Sequence, residues 1–223
     1  MAYSYTNFVT ELKERLQKKS DTKLITDTRA GAWINWSIKD IVYNNPGLRD
    51  VDKYDKHTWK CATNQYEYDL NDFVEYPVAH LLKLKYIDKS NSNYYTIEPY
   101  VGGLDQFDAD YPYPLDLGVG IPSYYVRRGN SVELLRAPGS SEAGSAIWVH
   151  YSYLPKDISG TGTAVLTNFD ECIIANAIVA ALRTMGKKNE SQEQKAFADL
   201  MIHERVEAEQ DWDDIDQVAD NGP

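Results

Sequence analysis

Hydrophobic positions repeat with a helical period at both ends of the chain and with a period near two between them. Phe8, Leu12 and Leu16 recur every four residues, and Lys13, Arg15, Lys18 and Lys19 suit the negative pole of a helix. Ala30, Trp33, Ile34, Ser37, Ile38 and Ile41 trace one buried helical face, with Asp27 as the expected N-cap and Asn45-Pro46-Gly47 as the stop. From 51 to 155 the alternation predicts strands at 57–62, 65–70, 80–88, 93–98, 122–127, 131–136 and 145–154. In the last of these, Ile147, Val149, Tyr151 and Tyr153 alternate with Ala146, Trp148, His150 and Ser152. Large groups on both faces predict a central strand or one at an interface. Arg128-Gly129-Asn130 predicts a hairpin turn, and the prolines and glycines between Glu98 and Ile121 predict a long loop.

After the Gly/Thr-rich stretch at 156–166 the helical period returns. Asn168 with Glu171 reads as a capping box, and Ile174, Ala177, Ile178, Ala181, Leu182 and Met185 form an apolar stripe ending at Gly186 in the C′ position. Ser191 with Gln194 reads as a second box, opening a helix whose expected core face is Phe197, Leu200 and Met201. Two helical hairpins at opposite ends, each apolar on one face, most simply bury those faces on each other. The expected fold is therefore α+β: a helical bundle from N- and C-terminal helix pairs with an antiparallel, sandwich-like or barrel-like β insertion. The expected boundaries are 1–48 and 157–212 for the bundle helices, 49–156 for the insertion and 213–223 for an acidic tail.

Charge narrows the possible functions. The 223 residues carry 23 basic and 34 acidic side chains, a formal net charge of −11. That balance argues against a protein that grips nucleic-acid phosphates, which takes clustered Lys and Arg. Glu204 to Asp220 alone holds eight carboxylates against one arginine. No signal peptide or bilayer-length apolar run is visible, so a protein used outside any membrane is expected.

Chemical motifs are sparse. Cys61 and Cys172 sit in no C-x-x-C or Cys/His cluster and are expected to be reduced core thiols. His57, His80, His150 and His203 lack a second histidine at metal-ligand spacing. Asp105, Asp108 and Asp110 offer calcium-type oxygen ligands but lack the glycine and glutamate of an EF-hand loop, so a solvated or interface loop is the favoured reading. No nucleophile elbow or phosphate-binding loop is present, and no catalytic residue, metal or cofactor is expected.

Aromatic residues are the positive signal. Among 17 Tyr and 5 Trp, the residues Tyr94, Tyr95, Tyr111, Tyr113, Tyr124, Tyr125 and Trp148 all belong to the β region. Three readings fit: tyrosine rims on a β core, a subunit interface, or a carbohydrate-binding face.

The joint order of several motifs resembles the head-to-tail adaptor (connector) proteins of tailed bacteriophages. These motifs are the helix with Ala32-Trp33-Ile34-Asn35-Trp36-Ser37-Ile38-Lys39-Asp40-Ile41 and the strand Tyr66-Glu67-Tyr68-Asp69-Leu70. They continue with Gly120-Ile121-Pro122-Ser123-Tyr124-Tyr125, Val132-Glu133-Leu134-Leu135-Arg136-Ala137-Pro138 and Val149-His150-Tyr151-Ser152-Tyr153-Leu154-Pro155. Asn168-Phe169-Asp170-Glu171 then enters an Ala-rich helix. The long 100–118 loop and the acidic tail depart from the pattern.

The resemblance implies a structural virion protein of the neck, assembled in the host cytoplasm. It implies a homo-oligomeric ring of about twelve copies that docks on the portal protein and receives tail or nozzle proteins. DNA would pass through the channel without specific binding, and the acidity would repel phosphates over roughly 8 Å at physiological salt. It also implies a portal-docking arm at Asp211, Trp212, Asp213, Asp214 and Ile215, with the tyrosines and Trp148 between neighbouring subunits. The competing expectation is a tyrosine-rich module recognising carbohydrate or a tail receptor.

Overall fold

A computed structural model describes residues 3–19, 25–73, 75–90, 92–112 and 118–220, apart from the side chains of residues 18 and 19, of His57 and of residues 209–220. The chain divides into a helical unit, Met1–Val51 with Leu154–Pro223, and a β unit, Asp52–Tyr153.

In the helical unit, α4 (Asp170–Thr184) packs against α1 (Tyr5–Lys19), α2 (Asp27–Asn44) and α5 (Lys188–Asp220). Ten of its fifteen residues are buried, from Cys172 to Leu182 with only Ala180 partly exposed, because a helix apolar all round has to be covered on every side. Its two polar contacts with α2 are satisfied. Ser37 Oγ donates to the Ile173 carbonyl at 2.8 Å, and Asn176 Nδ2 donates to Asp40 Oδ2 at 3.0 Å. Phe8, Leu12 and Leu16 of α1 are wholly buried, as their spacing predicts. The two terminal helix pairs thus share one core.

Helix termini differ in detail from the sequence reading. Thr26, not Asp27, is the N-cap of α2, with its side chain accepting from Arg29 N; Asp27 instead opens the first turn and pairs with Lys13 at 2.7 Å. The Asn168–Glu171 box does not form. Asn168 lies in the left-handed region at φ 61°, Phe169 occupies the cap position, and Arg15 of α1 holds the Glu171 carboxylate at 2.8 Å. Ser191 lies inside α5 rather than at its start, its Oγ donating to the Val179 carbonyl at 3.3 Å. Gly186 does end α4: with φ 76°, its N–H reaches Arg183 O while Lys187 N–H reaches Leu182 O, a Schellman pair.

The buried face of α5 is also shifted. Ala198 is fully buried against Ala175 and Val179, with Met201 packed on this cluster, whereas Phe197 and Leu200 are each 55% exposed. Small residues at this crossing let two helix backbones approach closely, which turns the bulkier neighbours outward.

The β unit is one curled, mixed sheet in the order β1-β7-β3-β4-β5-β6-β2. Its strands are β1 (Asp52–Lys60), β2 (Glu67–Asp69), β3 (Val78–Ile87), β4 (Tyr94–Pro99), β5 (Tyr124–Arg128), β6 (Ser131–Leu135) and β7 (Ala146–Tyr153). All seven expected strands are present, and β7 is an interior strand paired on both sides, with β1 and β3. One pairing departs from the expected antiparallel pattern. β4 runs antiparallel to β3 through Tyr94–Ile97, then parallel to β5 through Glu98 and Pro99, so it joins two ladders end to end. The curl brings the two edge strands together at one end, where the Trp59 and Tyr68 rings lie 5.2 Å apart. Gly129, at φ 61°, makes the β5–β6 hairpin turn. The expected loop at 99–121 contains a helix, α3 (Gly103–Asp110), anchored by the fully buried Phe107.

Candidate interaction surface

Pairing register decides which side chains share a face. Tyr54 of β1 pairs with His150 of β7, which pairs with Lys83 of β3; one step along, Trp148 pairs with Lys85. Side chains alternate along each strand, so these residues share one face while Leu84, Tyr86, Ile147, Val149 and Tyr151 form the buried opposite face.

The first face is a lattice of rings and ammonium groups. Lys56 Nζ lies 4.6 Å from the Trp148 ring centre and 5.6 Å from that of Tyr54. Lys85 Nζ lies 4.9 Å from Tyr94 and 5.9 Å from Tyr54. Tyr54 meets Trp148 and His150 edge-on at 5.7 and 5.6 Å, and His150 Nε2 is 3.2 Å from Asp52 Oδ2. Among the described residues, Lys56, Lys83 and Lys85 have no carboxylate partner. Ammonium groups stacked on rings keep N–H donors free for an incoming acceptor.

A second cluster surrounds α3. Tyr100, Leu104 and Tyr111 pack on Phe107, Val126 and Leu135. Arg128 fastens the helix from outside, pairing with Asp108 at 2.5 Å and with Glu133 at 2.7 Å, and its hydrogen bond holds the Asp108 carboxyl below the usual carboxylate range. The Tyr100 hydroxyl donates to Asp110 at 2.5 Å, which pushes its pKa up to about 12. Two of the three aspartates considered as calcium ligands thus serve to pin a helix. Among the described residues, no group of three or more His, Cys, Asp or Glu side chains is placed to hold a metal ion. Cys61 and Cys172 are buried and unpaired, and burial raises each thiol to about 11.

The expected interface residues fall in several places. Tyr94 and Trp148 share the lysine-bearing face, Tyr94 being 65% exposed. Tyr95 and Tyr124 line one shallow cleft with Glu98 and Arg136. Tyr111 packs on Phe107 with ring centres 5.7 Å apart, and Tyr125 is buried. Tyr113 lies outside the described residues. Asp211, Trp212, Asp213, Asp214 and Ile215 lie on the C-terminal part of α5, and their side chains are outside the description. Tyr54 and Lys56 escaped the sequence reading because β1 begins five residues before the expected strand, and Lys85, on an expected strand, because its ring partners are set by pairing register. The alternation in Asp52-Lys53-Tyr54-Asp55-Lys56 was the available signal.

Two terminal helix pairs that share one core, with a β sheet inserted between them in sequence, define an α+β protein. The chain belongs to the SU10 adaptor protein family, whose model matches residues 3–220. This is a family of phage adaptors, structural rather than catalytic. A search of curated proteins finds no match to the chain. No helix among the described residues is long and apolar enough to cross a membrane.

Proposed function

We propose that the protein is the head-to-tail adaptor of a phage virion. Its copies form a ring of about twelve in the neck, one side docking on the portal protein and the other receiving tail or nozzle proteins. The observation that carries this reading is the family match over residues 3–220, on a chain whose terminal helix pairs share one core and whose intervening segment forms a β unit of its own. Exposed Tyr94, Tyr95 and Tyr124, with Trp148, supply contact area between neighbouring subunits at little cost in rotamer freedom. The segment Asp211–Ile215 is an arm reaching another chain of the assembly. DNA passes through the channel without being held, in keeping with a net charge of −11.

Native mass measurement with and without the portal protein tests the reading. Ring-sized or portal-dependent multimers are expected. A protein that stays monomeric in both conditions and captures glycans would overturn it in favour of a carbohydrate-binding module.

A further inference from the structure

The structure points to an occupant for the lysine-bearing sheet face: we infer that it receives the acidic C-terminal segment of α5 from a second copy of the chain. The inference rests on the adaptor reading and gives the β-unit contact surface a specific partner. That partner is an adjacent copy, in place of the portal contact implied by the resemblance.

Charge complementarity carries the argument. The chain has eleven more acidic than basic side chains, yet Lys56, Lys83 and Lys85 stand on one face with no carboxylate partner among the described residues. Carboxylates are concentrated elsewhere: Glu204 to Asp220 holds eight, with one arginine and one large ring, Trp212. The helical backbone of α5 runs 33 residues to Asp220, so its last 12 residues extend over roughly 18 Å. That length spans about four strands at the usual spacing of nearly 5 Å, comparable with the width of the β1-β7-β3-β4 ladder.

Ring-stacked ammonium groups discriminate in favour of such a segment. Lys56 over Trp148 and Lys85 over Tyr94 are held in place by the rings, so little side-chain freedom remains to be lost when a carboxylate arrives. A duplex nucleic acid would meet three lysines on a chain of net charge −11, too few to offset the long-range repulsion. The contact joins two different surfaces, helix end to sheet face. Such a heterologous contact propagates from copy to copy and closes into a ring when the rotation permits.

The test uses the full-length protein and a fluorescent synthetic peptide of residues 204–220, read by anisotropy. We expect saturable binding that weakens as salt is raised. It should weaken about tenfold in Lys56→Glu/Lys85→Glu, in line with reversing two partly exposed ion pairs. A reversed peptide with all eight carboxylate residues replaced by Lys should bind that variant better than it binds the parent protein, and this rescue excludes simple misfolding. Equal peptide binding by parent and variant overturns the inference, as does tighter binding of a 20-base-pair duplex than of the peptide. Native mass measurement separates the two levels. Multimers that persist unchanged in the face variant overturn the inference and leave the adaptor reading standing, whereas absence of multimers with or without portal overturns the adaptor reading itself.

Discussion

Arg128 ties Asp108 of α3 to the end of β5, with Nη2 2.5 Å from the carboxylate, while its Nε reaches Glu133 of β6 at 2.7 Å. The hydrogen bond lowers the Asp108 pKa in the folded state. A depressed carboxyl contributes stability that is fully present above its unfolded value, about 4, and is lost as the pH falls through the folded value. Protection of the α3 amides, corrected for the intrinsic exchange rate at each pH, should therefore fall below pH 4 in the parent protein. Asp108→Asn should exchange faster at neutral pH and show less acid-side change. An unaltered pH profile in that variant would show that the pair does not hold the helix.

The α4–α5 crossing gives a prediction opposite to one based on side-chain size. Ala198 is fully buried against Ala175 and Val179, and Leu200 is more than half exposed. Ala198→Leu should destabilise the protein by about 1–3 kcal/mol through overpacking, and Leu200→Asp should change stability by less than about 0.5 kcal/mol. Urea unfolding of the two variants decides between the packing described and one in which Phe197 and Leu200 face the core. The reverse ranking would refute the packing.

Periodicity revealed the layout because burial imposes it. Phe8, Leu12 and Leu16, or Ile147, Val149 and Tyr151, have to fall on one face for a core to exist, and that repeat is written in the sequence. Details settled by competition between partners were not legible. Glu171 looks like a capping residue, but Arg15, 156 positions away, takes its carboxylate. Phe197 and Leu200 look like core, but the closeness of two helices favours Ala198. The helix α3 was hidden by the surrounding prolines and glycines, although its Phe107 anchors a cluster. The lysine–aromatic face was hardest to see, since it depends on the register between β1, β7 and β3, and one strand alone does not contain that register.

The two cysteines should be chemically quiet in the native protein. Burial raises both thiols to about 11, so at neutral pH they stay protonated and the nucleophilic thiolate is scarce. Alkylation by iodoacetamide at pH 7.5 should be slow for the folded chain and should accelerate at least a hundredfold in denaturant, where the thiols return to about 8.5. Mass spectrometry of the modified peptides checks this, and rapid native labelling of either Cys61 or Cys172 would contradict their placement in the core.

Gly31 supplies a test of how α1 meets α2. A Cβ at this buried helical position would lie 1.9 Å from the Tyr5 hydroxyl oxygen and 2.7 Å from the ring carbon that bears it. In an unhindered helix interior, replacing glycine by alanine stabilises by roughly 0.5–1 kcal/mol, but here the ring has to be displaced first. Gly31→Ala should therefore lower stability by about 1–3 kcal/mol. In a Tyr5→Ala background, with the ring gone, the same change should become stabilising by roughly 0.5–1 kcal/mol. A double-mutant cycle from denaturant melts reads the sign change directly. Equal effects of Gly31→Ala in both backgrounds would show that Tyr5 does not lie over the glycine, and the contact between the two N-terminal helices would need another account.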